Sequence, residues 1–321
     1  MEKIQISSII RSARKPILLI ILFTAIFFVI LFPTGDLGDL VSSKVSEITQ
    51  NQVFLQFNNF SLNLTPPGVE FTDIFLETAF APGISADEIL ISPSLAGVIS
   101  QKPYGSVRAK GLLNGELQLS VKKGQPTETG NERQRVIVNV EDLSLSALRD
   151  FLKLSLAIEG KLSISADGQS DLELSEQPDI DLNLDVNKFS LPPATVNTMM
   201  GPLTLPDMKL DQIHLKGRLS NGKFSVEVGD IGKKQDDLFG KIKGFWNISI
   251  IMVNGRPTPQ FGSYDLDINL VTNKAFQSKA SLFLSLLDQY KSSSADGTRY
   301  KFKVSATDLQ SPPSITGSTS N

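Results

Sequence analysis

The sequence predicts a mainly β protein: a single N-terminal transmembrane helix followed by an extended, curved antiparallel β-sheet, built as a groove, a sandwich or a partly open barrel, with two or three short helices. Three observations predict it. One apolar run near the N-terminus is long enough for a bilayer, alternation with period two recurs from Gln52 to Ser305, and helical spacing is confined to short stretches.

The apolar run comes first. From Pro16 to Gly35 no side chain is charged, and Ile17 to Phe32, including Leu22 and Phe27, is almost wholly Ile, Leu, Phe and Val. Such a stretch crosses a hydrocarbon core when its flanks share the span. Lys3, Arg11, Arg14 and Lys15 precede it, and Asp36 and Asp39 follow it. The positive-inside bias therefore keeps the N-terminus cytoplasmic and exports the rest. A cleaved signal peptide has a shorter apolar region, and no small-x-small cleavage site follows Phe32, so the run is read as an anchor.

Leu37, Leu40, Val41, Val45 and Ile48 then recur at helical spacing and predict a short amphipathic helix capping the sheet. Beyond Gln52 the period becomes two. Strands are expected around Val53–Phe57, Phe60–Leu64, Val69–Leu76, Ala86–Ile91, Val107–Gly111, Glu116–Val121, Val136–Val140, Ser155–Ala166, Asp171–Leu174, Asp179–Val186, Leu210–Leu219, Lys223–Val228, Gly244–Val253, Tyr264–Val271 and Arg299–Ser305. Two segments repeat: KGLLNGELQLSV (Lys110–Val121) and KGRLSNGKFSVEV (Lys216–Val228), with one residue inserted in the second. Their Asn-Gly pairs suit the centre of a two-residue hairpin turn, where both residues need positive φ. Asn254-Gly255 predicts a third hairpin. Leu145, Leu148, Phe151 and Leu152 suggest one short helix, and Phe276, Ala280, Phe283, Leu287 and Tyr290 a longer one. Phe245–Val253 is apolar on both phases, which predicts burial of both faces ahead of exposure to lipid or a partner. Lys122–Arg135 is a polar loop, and Ser190–Met208 is Pro-rich but apolar, which places it across the sheet edge or end.

The chain is thus expected to divide into a cytoplasmic N-terminus (1–15), a transmembrane helix (16–35), an exported β-rich domain (36–306, with a candidate sub-boundary at 122–135), which in a bacterium with two membranes is periplasmic, and a disordered tail (307–321).

Composition narrows the function classes. The 321 residues carry a net charge of −3, which offers nucleic acid no general attraction, and contain no cysteine and one histidine, His214. Thiolate chemistry and multi-histidine metal centres are excluded. Asp179, Asp181, Asn183, Asp185 and Asn187 resemble a calcium loop only superficially. Leu184 and Ser190 occupy the positions where that loop needs glycine and glutamate, and in a strand these oxygens line a face about 6.8 Å apart. His214, on the polar phase of a strand, reads as a surface residue, and no catalytic, cofactor-binding or metal constellation is legible. The chain is expected not to be an enzyme and to need no cofactor.

The run FPTGDLGDLVSSKVSEITQ after the apolar helix, the LNLTPPGVEFTDIFLE segment, ISADEILISPS, the hairpin GSVRAKGLLNGELQLSV and LPDMKLDQIHLKGRLSNGKF resemble the type II secretion system protein N (GspN) family, in its longer variant from spirochaetes and δ-proteobacteria-like bacteria. The resemblance implies a single-pass protein of the cell inner membrane with a periplasmic β-rich domain, accessory to protein secretion, whose partners are other secretion components such as the secretin or the inner-membrane platform. A looser similarity, carried by Leu-x-Leu-x-Gly strands behind one N-terminal anchor, is to AsmA-like periplasmic proteins. It implies a curved sheet whose apolar groove takes phospholipid acyl chains.

Overall fold

The computed structural model describes residues 34–49, 51–78, 81–126, 132–154, 156–171, 174, 176–198, 201–253 and 256–318. All of the expected membrane span but Thr34 and Gly35, including Ile17, Leu22, Phe27 and Phe32, lies outside these residues, as do the topology charges Arg11, Arg14 and Lys15. Among the described residues no helix is long and apolar enough to cross a membrane.

Helix α1 (Thr34–Ile48) opens the described chain and lies against β1 (Val53–Gln56) and β2 (Asn59–Leu64). These two strands share one edge of β3 (Pro67–Thr78), with their junction opposite Asp73. Asp73 takes a left-handed φ of 52°. There the buried phase of β3 shifts, from Val69 and Phe71 before it to Ile74 and Leu76 after it. The chain then meanders through β4 (Ala81–Pro93), β5 (Gly105–Leu112), β6 (Gly115–Lys123), β7 (Gln134–Ser144), β8 (Glu159–Ser170) and β9 (Asp179–Leu191), each antiparallel to the one before.

Beyond β9 the hairpin of β10 (Ala194–Thr198) and β11 (Gly201–Leu205) forms a separate two-stranded sheet. β12 (Met208–Ser220) returns to pair with β9. Next come β13 (Lys223–Ile231), β14 (Leu238–Val253), β15 (Arg256–Thr272) and β17 (Gly297–Ala306), with the short strands β16 (Lys291–Ser294) and β18 (Ser314–Gly317) both on β17. Among the described residues the result is one 16-stranded antiparallel sheet whose path has two unjoined ends, so its hydrogen bonding there does not close into a barrel. The β6–β7 ladder runs unbroken beside the 122–135 connection, so a single sheet passes through it. In the tail, where composition predicts disorder, β18 extends the sheet and Asp308 organises the turn before it, accepting bonds from the amides of Gln310 (2.8 Å) and Ser311 (2.7 Å).

Helices are few. α2 (Leu95–Ser100) is capped by Ser94, whose Oγ accepts from the Gly97 amide at 3.0 Å, and α3 (Leu145–Leu152) matches the stripe read from the sequence. The longer helix expected over 276–290 is instead broken at Ala280 (φ −102°, ψ 14°) into α4 (Lys274–Lys279) and α5 (Ser281–Ser285), followed by a 3-10 turn at Asp288–Tyr290. The break rotates the apolar stripe. Leu284 goes into the core with Phe276 and Ala280, while Phe283 is left exposed. Asp171 and Leu174, expected in a strand, are in none.

The two Asn-Gly turns differ as the inserted residue dictates. In the second, Asn221 (φ 51°) and Gly222 (φ 72°) are the central pair between Ser220 and Lys223. In the first the centre moves back one position, to Leu113 (φ 48°) and Asn114 (φ 61°), because Leu112 pairs with Gly115. A leucine therefore sits where φ is positive. The third hairpin is established by the Val253–Arg256 pair, its tip lying outside the described residues.

Candidate functional site

The registers reveal what the alternation in each strand adds up to. Across the sheet Val69 faces Ile91, then Val107, Leu119, Val138, Ala166, Leu182, Gly217, Val226, Gly244, Leu266 and Val304, each the direct partner of the last. From β3 to β17 this row holds no polar side chain. At about 4.8 Å per strand it is roughly 50 Å long. A parallel row on the same face runs from Gly105 through Val121, Val136, Gly168, Ile180, Leu219, Phe224, Trp246 and Tyr264 to Ala306. Two more, through Ile89, Ala109, Leu117, Val140, Ile164, Leu184 and Leu215, and through Leu143, Leu162, Val186, Ile213, Ile231, Gly240, Leu270 and Tyr300, complete the surface.

Helices cover only its margin. One buried cluster sets Phe276, Ala280, Leu284 and Leu287 against Leu210, Leu238, Tyr300 and Phe302, and beside it lies a wholly apolar cavity of about 110 Å³. The other sets Leu145 of α3 on Leu162 and Val186. Leu205 and Met208, at the end of the Pro-rich segment, help line the small cavity, which is why that segment is apolar. Neither cluster includes Val107, Leu119, Val138, Ala166 or Leu182, which are half-buried, and Ile91 in the same row is 41% exposed. α3 also packs against β4 and β7, bridging β4 to β8 along one margin, but among the described residues neither buried cluster reaches the row from Val107 to Leu182.

The opposite face is polar and paired. Lys110 meets Glu88 at 3.0 Å, Arg218 meets Asp179 at 2.9 Å, Lys303 meets Asp265 at 2.8 Å, and Arg135 is bonded to Asp167. The hydrogen bond from Arg135 holds the Asp167 carboxyl below its ordinary value. Lys223 lies 3.9 Å from the centre of the Phe245 ring, which softens one apolar residue on this side. The carboxylate ladder of β9 belongs here, engaged with Arg218 and with His214, whose Nδ1 lies 2.7 Å from Asp185 Oδ1. Gln212 also donates to Asp185, at 3.2 Å. This pair borders an open groove of about 930 Å³ with Lys233, Lys241 and Arg299. Lys233 is bonded to Asp211, Lys241 lies 3.4 Å from Asp230, and Arg299 donates to Ser294. Among the described residues no hydroxyl extends the His214–Asp185 pair into a triad.

Sequence reasoning identified the greasy edge of each strand but not that these edges align without interruption; the register supplies that. It also missed how β14 and β15 end. Phe245–Val253, expected to be buried on both faces, is exposed at Ile251, Met252 and Val253, because pairing of β14 with β13 stops at Asn247 and pairing of β15 with β17 stops at Tyr264, while β14 and β15 continue as a two-stranded ribbon. The described residues thus form a large sheet with one polar face and one broad apolar face that helices cover at its margin; no family model, curated protein or solved structure matches the chain.

Proposed function

We propose that the protein binds lipid acyl chains on this apolar face, the sheet curving around them as a groove. The carrying observation is the unbroken set of rows, uncovered in its middle. The two rows that lie clear of the buried clusters, about 6.8 Å apart and roughly 45–50 Å long, give a footprint on the order of 600–700 Å². Monomeric soluble proteins rarely expose more than a few hundred Å² of contiguous apolar surface. An acyl chain suits such a face because it brings no polar group to satisfy, whereas a protein segment laid on it brings backbone donors and acceptors that these rows cannot meet. One leaflet is about 15 Å deep, so the face has room for several chains. The sequence-read anchor holds the domain beside the inner membrane, on its periplasmic side.

The resemblance to the secretion family supports a second reading, an accessory subunit of type II secretion acting through protein contacts. The two unjoined sheet ends, near β1 and at β16 and β18, favour it, since unpaired strand edges accept further strands. The two readings are compatible. Mass spectrometry of an organic extract of purified, folded protein tests the first, and folded protein that yields no phospholipid rejects it. Deleting the gene and assaying secreted enzymes in culture supernatants tests the second; unchanged secretion with no co-purifying machinery rejects it.

A further inference from the structure

The ribbon formed by the ends of β14 and β15 is a second apolar surface, separate from the middle of the sheet. Among the described residues its last six ladder pairs, from Ile248–Phe261 to Val253–Arg256, have no neighbouring strand. At about 3.4 Å per residue it is roughly 20 Å long, and the half from Ile251 to Val253 reaches about 10 Å beyond the contacts that flank its base. One side carries Ile248, Ile250 and Met252 opposite Phe261, Pro259 and Pro257, continuing the apolar face outward, and the other side adds Ile251 and Val253. Met252 is 53% exposed. From Phe245 to Tyr264 the only charged residue in the sequence is Arg256. At the base Trp246 lies 5.5 Å from Phe261 and 6.0 Å from Tyr264, ring centre to ring centre, a collar of the residue types that favour the membrane–water boundary.

The ribbon's edges decide what it meets. On the β14 side the Ile248 amide donates to Gly222 O (2.9 Å), the Ile250 amide to Gln177 Oε1 (2.8 Å), and Gln177 Nε2 donates back to Ile250 O (2.7 Å). On the β15 side Pro257 and Pro259 have no amide hydrogen to offer. A partner that added a strand would need those donors and acceptors free. A lipid surface needs the reverse: greasy side chains outside and backbone groups satisfied within.

We infer that this ribbon inserts into the interfacial region of a lipid bilayer, with Ile251, Met252 and Val253 at acyl depth and Trp246 and Tyr264 at the headgroup level. The inference stands whether or not the middle of the sheet carries lipid. It orients the domain: the end of the sheet bearing β14 and β15 rests on a membrane.

The absence of cysteine makes the test direct. The full chain carrying Met252→Cys, labelled with an environment-sensitive fluorophore, is reconstituted into vesicles of phosphatidylethanolamine and phosphatidylglycerol; Leu282→Cys, on exposed α5, is the companion. The label at Met252 is expected to be quenched by lipids brominated along the chain, at a depth of about 5–10 Å, and shielded from aqueous iodide. The label at Leu282 is expected to show the opposite. Equal iodide quenching at both positions overturns the inference. So does a Met252 label shielded from iodide yet untouched by brominated lipid, which assigns the ribbon to a protein partner or a second copy. Val253→Cys repeats the measurement should the first variant fold poorly.

Discussion

Leu119 and Leu162 lie on the same face of the sheet and separate an open surface from a covered one. Leu162 is 9% exposed and packed with Leu145 and Val186. Truncating such a residue leaves a cavity and costs about 2–5 kcal/mol. Leu119 is flanked across the strands by Val107 and Val138 and belongs to neither buried cluster. Leu119→Ala loses two cross-strand contacts of about 0.2–1 kcal/mol each and leaves a dent open to solvent, so its cost is about 1 kcal/mol. Chemical denaturation of the full chain in mild detergent, read by far-UV circular dichroism, measures both. At about 2–4 °C per kcal/mol the two variants also separate in a thermal scan. Leu119→Asp is expected to keep the fold and lose bound phospholipid. A cost for Leu119→Ala equal to that of Leu162→Ala would show the middle of the face to be covered, and the lipid reading would fall with it.

Four further expectations follow from particular contacts. Phe276→Ala, at a position 3% exposed, empties the seam between α4 and the sheet and should cost about 3–5 kcal/mol by the same denaturation assay. Gly244→Ala drives a Cβ into the carbonyl oxygen of Asp265 at a φ of 135°, and should lower stability by at least about 1–3 kcal/mol or prevent folding. Gln177→Ala removes both bonds to Ile250 and should speed hydrogen exchange at that amide, at a cost of about 1–3 kcal/mol; unchanged exchange would mean that the side chain does not hold the ribbon. Because Asp167 titrates below its unfolded value of about 3.9, its contribution is complete above that pH and is lost as pH falls through the lower folded value, so the wild type should lose more stability than Arg135→Gln between about pH 5 and about pH 3.

The strands were legible because each buries or presents one phase. Ile180, Leu182, Leu184 and Val186 announce β9 without help from any other segment, and Ile213 and Leu215 of its neighbour β12 carry the same two-residue beat. Alternation says which side is greasy, however, and not what lies over it, so the open middle of the face needed the register and the helix positions. Local chemistry hid other features. α2 is a single turn and a half after Ser94, shorter than any periodic signal, and β18 lies in a Ser- and Pro-rich tail whose composition suits disorder equally well. The break at Ala280 follows no glycine or proline. His214 gave no sign of its partner because Asp185 lies on another strand, directly opposite in a pairing that only the fold creates. The sealing of the β14 edge by Gln177 is likewise a contact between residues 73 apart in the chain.

The strand order has a consequence for how such a surface is made. Except where the β10–β11 hairpin steps aside, almost every strand pairs with its predecessor in the chain. Each contact can therefore form as soon as the next segment arrives, with little loop to close. Growth is as modular as assembly. Inserting one hairpin between neighbours lengthens the apolar rows by about 10 Å and leaves every other pairing untouched. The length of the face is then a quantity that selection can adjust two strands at a time.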